Sequence, residues 1–253
     1  MFASVDTSLD SPLFDAQNYF ATDFYACRSD FLHQASLIQH LECELVLPQQ
    51  VAYLDETPQT DCLWLGSKKA ERVLVLISGT HGVEGFCGSA AQKFVLSEIA
   101  RLYLSLPESF AVLMVHALNP WGMAWARRCD QDGVDLNRNF VDFSRLSDRS
   151  RDYELLARCL IERDKEKRLE RFQQLQKQWG MKHYEKVVSG GQYHLPWAPF
   201  YGGIKPSPSN MLIEQLISLT DLADRELVVI DIHSGLGPFA HGELISDHPL
   251  NTK

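Results

Sequence analysis

Val73-Leu74-Val75-Leu76-Ile77-Ser78-Gly79-Thr80-His81-Gly82-Val83-Glu84-Gly85 is the stretch on which the reading of this chain turns. Its first half is a continuous apolar run, the pattern of a central strand covered on both faces. Its second half is a glycine-rich turn that carries a histidine and a carboxylate three residues apart. Imidazole nitrogen and carboxylate oxygen are both good zinc ligands. Spacing of i, i+3 puts the two side chains on one face of a helical turn. Gly79, Gly82 and Gly85 let the backbone turn tightly and approach a metal or substrate without a Cβ in the way. HxxE alone recurs by chance, so its weight depends on what else converges on it.

Two more apolar runs lie further along, at residues 110–116 and 226–232, and both read as buried strands. Shorter strand candidates are 45–47, 51–54 and 62–66. Apolar residues recur at helical steps over 18–41, and 89–102 reads as a helix packed back on the sheet. Residues 149–178 are charged and free of Pro and Gly, which predicts an exposed helix or helical pair. Ser209 is a candidate cap for a helix ending at Leu219, and 190–203 reads as an ordered loop over a site. Strands separated by helices predict an α/β fold, a mixed and mostly parallel central sheet with helices on both faces. In such sheets functional residues gather at the carboxyl ends of the strands.

At 253 residues one domain over 1–253 is the simplest organisation, with 1–16 as a loose lead-in. The net charge of −9 argues against nucleic acid or an anionic membrane as partner. No apolar run approaches the roughly 20 residues that cross a bilayer, and the first residues are no secretory signal. The six cysteines form no CxxC pair, which predicts reduced thiols and a cytoplasmic protein. Cys87, near the HxxE turn, reads as a small buried hydrophobe before a nucleophile.

His233, in Asp231-Ile232-His233-Ser234-Gly235 after the last strand, is the third candidate ligand. Asp231 shares its strand face and is placed to orient it. Between the two halves lies Arg127-Arg128-Cys129-Asp130-Gln131-Asp132-Gly133-Val134-Asp135-Leu136-Asn137-Arg138-Asn139-Phe140. Guanidinium groups offer forked donors suited to a carboxylate or a developing oxyanion. Arginines beside a metal would make a cationic pocket in an acidic protein, fit for an anionic substrate.

HxxE, then RxxxxGVDLNRNF, then a strand ending in DIHSG, together resemble the zinc carboxypeptidase superfamily. Asn18-Tyr19-Phe20, Gly191-Gln192-Tyr193, Phe200-Tyr201-Gly202-Gly203 and His233-Ser234-Gly235-Leu236-Gly237-Pro238 look like one bacterial branch of it, of unknown function. The resemblance implies that His81, Glu84 and His233 hold one zinc ion with a water in the remaining position. It implies that Arg128 stabilises the tetrahedral oxyanion, with Arg127 as the neighbouring alternative, and that Asn137 and Arg138 grip a terminal carboxylate. Asp135, Asn139 and Phe140 are expected to shape the turn. The implied activity is zinc-dependent hydrolysis of an amide or peptide bond next to a free carboxylate, on a peptide or small molecule. Deacylation of N-acyl amino acids is the variant within the same superfamily.

The chain departs from that superfamily after His233. Its members place a general-base glutamate, a capping tyrosine and specificity residues on later elements, whereas this sequence closes at Lys253. The comparison therefore leads to the expectation of either an incomplete chain or a shortened, inactive relative without the last strands. Glu243, with Asp247 nearby, is the local candidate for a substitute base. The competing expectation is a catalytically silent module that binds zinc or a carboxylate.

Overall fold

A computed structural model describes residues 16–46, 58–146, 150–235, 237–238 and 241–246. The strand expected at 51–54, most of the lead-in and Asp247 lie outside the described residues. Five strands form one sheet: β1 Cys43–Leu45, β2 Asp61–Leu65, β3 Arg72–Ser78, β4 Phe110–His116 and β5 Glu226–Ile232, in the order β1-β2-β4-β3-β5. β3 runs parallel to both β4 and β5, while β2 is antiparallel to β4 and to β1. The sheet is mixed, and its parallel part is the one that leads into the site.

Helices cover both faces. α1 (Phe24–Ser36) and α2 (Gly85–Leu102) bury Phe31, Ala35, Leu96 and Ile99 against Leu63, Leu65, Leu76, Val112 and Met114. On the other face α7 (Pro208–Leu219) packs Leu212 and Leu216 against Trp64, Val73, Val75, Leu113 and Val115. Side chains alternate across a strand, so apolar runs in β2, β3 and β4 supply both cores at once. Between β4 and α7 come α3 (Pro120–Ala124), α4 (Arg151–Leu160), α5 (Lys165–Trp179) and α6 (Met181–Ser189).

Local chemistry fixes the boundaries. The periodicity over 18–41 contains a break, because the Asp23 carboxylate accepts from the Ala26 amide and starts α1 there, after a short 3-10 turn at Ala16–Tyr19. The charged stretch resolves into the helical pair α4 and α5, the second capped by Asp164. Ser207, not Ser209, caps α7: its hydroxyl accepts from the Asn210 amide, and Pro208 takes the first helical position, where a missing N–H costs nothing. Ser209 instead donates to the Leu118 carbonyl.

One expectation about burial is corrected. β5 reads as a buried strand, yet Val228 and Val229 are 59% and 56% exposed. It pairs only with β3 and forms the edge of the sheet among the described residues. Its apolar run meets the requirement for a covered strand without the cover. All six cysteines are unpaired, and Cys87 is only half-buried. Among the described residues no helix is long and apolar enough to cross a membrane.

Candidate metal centre

The carboxyl ends of β3 and β4 are tied together before they diverge. The Leu118 and Asn119 amides donate to the Ser78 and Gly79 carbonyls at 2.8 and 2.9 Å. Gly79 has φ +71°, and a Cβ there would sit 3.2 Å from the Ala117 Cα. The chain then enters a 3-10 turn, Gly82–Glu84, with His81 at its head. Three residues per turn bring positions i and i+3 into line, so His81 and Glu84 share a face. At Gly82 a Cβ would fall 2.0 Å from the Gly122 carbonyl carbon. Only glycine lets the turn lie against α3.

The same turn is held from its other side by backbone. The Gly82 and Val83 amides donate to the carbonyls of Arg128 and Arg127, at 3.4 and 3.0 Å. This register brings Arg128, and not Arg127, against the metal-type ligands. Arg128 Nε donates to Asp135 Oδ2 at 3.0 Å, and its Nη1 lies 3.7 Å from Glu84 Oε1. Arg127 is exposed and its side chain makes no hydrogen bond or ion pair among the described residues.

His81, Glu84 and His233 converge, with one candidate ligand atom from each lying within 4.8 Å of the others. His81 Nδ1 lies 3.0 Å from Glu84 Oε1 and 3.2 Å from His233 Nδ1, and His233 Nδ1 lies 3.6 Å from Glu84 Oε2. Tetrahedral ligands bound at about 2.0–2.1 Å stand about 3.3 Å apart. The two separations from His81 fall near that value and His233 reaches the other Glu84 oxygen at 3.6 Å, so the donor set is compatible with a small divalent ion.

Each imidazole turns its far nitrogen to a carboxylate. His81 Nε2 meets Asp135 Oδ1 at 3.2 Å, and His233 Nε2 meets Asp231 Oδ2 at 2.7 Å. Such partners fix the tautomer and ring orientation and leave Nδ1 as the ligand atom. Thr80 donates its hydroxyl to the Asp231 carboxylate at 2.8 Å, and the Ser234 amide donates to Glu84 Oε2 at 2.6 Å. Burial pushes the Asp135 carboxyl up, but the His81 hydrogen bond and the Arg128 charge outweigh it and hold it low. The Asp231 hydrogen bond raises the His233 pKa; partial burial opposes the rise, and the charges of Asp231 and Glu84 reinforce it.

Residues 20–253 match a family described as "Protein of unknown function (DUF2817)". The chain belongs to that family. A search of curated proteins finds no match.

In this DUF2817 chain the remaining predicted residues fall as follows. Arg138 Nε donates to the Ser189 carbonyl at 2.9 Å and Nη1 to the Asn137 carbonyl at 2.8 Å. No carboxylate pairs with it among the described residues, which leaves its charge uncompensated. Asn137 is exposed beside it. Glu243 is exposed and makes no hydrogen bond or ion pair with the metal-type ligands or Arg128 among the described residues. Asn139 does shape the turn: its amide donates to the Gly202 and Lys205 carbonyls, and its oxygen accepts from the Ser207 amide. Asp135 caps the 3-10 turn Leu136–Arg138 through the Asn137 amide and also orients His81. That second role lay beyond the turn reading. Its signal was a lone acid between Val134 and Leu136, two residues that belong to the core.

Proposed function

We propose that this chain binds one zinc ion through His81, Glu84 and His233 and hydrolyses an amide or peptide bond next to a free carboxylate. The observation that carries the reading is the convergence of two imidazole Nδ1 atoms and one carboxylate, each ring backed by its own acid. Two nitrogens and one carboxylate oxygen, with a position left for water, form the ligand set of a catalytic zinc site. A zinc ion held there supplies a Lewis acid and a water activated near neutral pH. The likeness of HxxE, GVDLNRNF and DIHSG to zinc carboxypeptidases supports the same choice.

The chain's own residues supply the rest. Asp135 and Asp231 hold the rings so that Nδ1 faces inward. Arg128 keeps Nη donors beside the ligands, where charge would build on a carbonyl oxygen. Arg138, tied only to carbonyls, has the charge to receive a substrate carboxylate, with Asn137 alongside. Peptides and N-acyl amino acids both satisfy this arrangement. The test is hydrolysis of an N-acyl amino acid and of a dipeptide by zinc-loaded protein. Turnover abolished in His81→Ala and reduced in Arg138→Ala supports the reading.

A second reading, a silent zinc- and carboxylate-binding module, is favoured by the exposed position of Glu243, which makes no contact with the ligands among the described residues. Turnover that depends on Glu243 rejects it.

A further inference from the structure

Phe200 lies with its ring under both arginines of the site. The Arg128 guanidinium carbon stands 5.4 Å from the ring centroid and that of Arg138 5.9 Å. Both distances fall within the range of cation–π attraction. The backbone at Phe200 has φ +56°, a left-handed conformation that suits glycine and is unfavourable for a bulky residue. A phenylalanine stands where the backbone alone would favour glycine.

The loop around it is braced from several directions. The Gln192 amide donates to the Phe200 carbonyl at 3.0 Å, and the Asp135 amide to the Tyr201 carbonyl at 2.8 Å. Gln192 Nε2 holds the Leu195 carbonyl, and the Tyr153 hydroxyl donates to that of Pro199. Tyr193 donates its hydroxyl to the Arg138 carbonyl at 2.9 Å. Gly191 lies so close that a Cβ there would meet Arg138 Cδ at 2.7 Å. The HxxE turn and Asp135 therefore hold Arg128 from one side, while the loop holds Arg138 from the other. Among the described residues, Phe200 is the aromatic ring that contacts both guanidinium groups.

We infer that Phe200 is a positioning residue that sets the spacing between the two arginines, and so between the metal centre and the carboxylate grip. The inference rests on the carboxylate-directed reading of the site. Two like charges face one ring, which attracts each of them and fills space they would otherwise have to share with water. Its loss removes the packing shared by the two guanidinium groups and leaves Arg138 held only by the Ser189 and Asn137 carbonyls, while the three metal-type ligands stay in place, since none of them touches the ring among the described contacts.

The test uses zinc-loaded protein and 3-phenylpropanoate, a carboxylate with no amide bond to cleave, with calorimetric titration of wild type, Phe200→Leu, Phe200→Tyr and Arg138→Ala. Its binding should weaken roughly three- to tenfold in Phe200→Leu and recover in Phe200→Tyr, with zinc content unchanged. A Phe200→Leu variant that binds like wild type overturns the inference. Binding of 3-phenylpropanoate independent of Arg138 instead defeats the carboxylate reading. In the same samples the Nε–H resonances of Arg128 and Arg138 report the ring directly. Both should lose their ring-current shift in Phe200→Leu and keep it in Phe200→Tyr. Resonances that stay at wild-type positions in Phe200→Leu overturn the inference whatever the ligand result. If Phe200→Leu does not fold, the conservative Phe200→Tyr decides: displaced arginine resonances there overturn it.

Discussion

His233 directs Nε2 at Asp231, 2.7 Å away, and Nδ1 toward His81, 3.2 Å away. One hydrogen bond thus selects which ring nitrogen is offered to a metal. Removing it should weaken metal binding without unfolding the chain. Asp231→Ala is expected to lower zinc affinity about 10–100-fold, the usual effect of losing such a partner. Competition against a chromophoric chelator measures it, and an unchanged affinity would show that Asp231 is dispensable.

The two neighbouring arginines should separate cleanly. Arg128 is paired to buried Asp135, whereas Arg127 projects into solvent. Arg127→Ala is expected to change stability by no more than about 0.5 kcal/mol. Arg128→Ala leaves a buried carboxylate short of a partner and should cost about 1–3 kcal/mol. Urea denaturation of the two variants provides the comparison.

Much of this was legible in the sequence. β2, β3 and β4 could be read because a strand covered on both faces needs an unbroken apolar run, and the residues say so directly. That His81, Glu84 and His233 come together could be read because the HxxE turn and His233 each follow the carboxyl end of an apolar strand, where such groups gather. The exposure of β5 could not, since burial belongs to the neighbours of a strand and not to Leu227-Val228-Val229-Ile230. Nor could the choice between Arg127 and Arg128. Adjacent side chains point apart, and only the hydrogen bonds from Gly82 and Val83 to their carbonyls set which one faces the site. Phe200 was visible as part of a motif, but its contact with two arginines spans the loop and the strand ends.

Gly82 should tolerate no side chain. A Cβ at that position would overlap the Gly122 backbone, so Gly82→Ala must push the HxxE turn away from α3. A loss of about 1–3 kcal/mol is expected. Zinc affinity should fall with it, because His81 and Glu84 flank the displaced residue. Thermal unfolding with and without zinc would reveal both effects; a variant with wild-type stability would contradict the packing.

The chain should also weaken in mild acid, through a histidine outside the ligand set. His116 is buried at the end of β4, stacked on Phe31 and bonded to Ser89, with Nδ1 unpartnered. Burial, aided by the charges of Lys93 and Arg28, pushes its pKa down to about 3. In the unfolded chain it takes a proton near the ordinary histidine value, so the native state gains relative stability above that value. Stability from this group is therefore full above about pH 6.5 and declines as pH falls toward 3, by up to about 1.4 kcal/mol per unit. His116→Phe should flatten this part of the curve, whatever its baseline stability. An unaltered slope would assign the acid sensitivity elsewhere.

The central claim is that His81, Glu84 and His233 form a metal centre. It is tested most directly by elemental analysis of protein purified without chelator and dialysed against trace zinc. One zinc per chain in the wild type, and none in His81→Ala, is the result predicted. Substoichiometric metal in the wild type, or equal loading of His81→Ala, would contradict it.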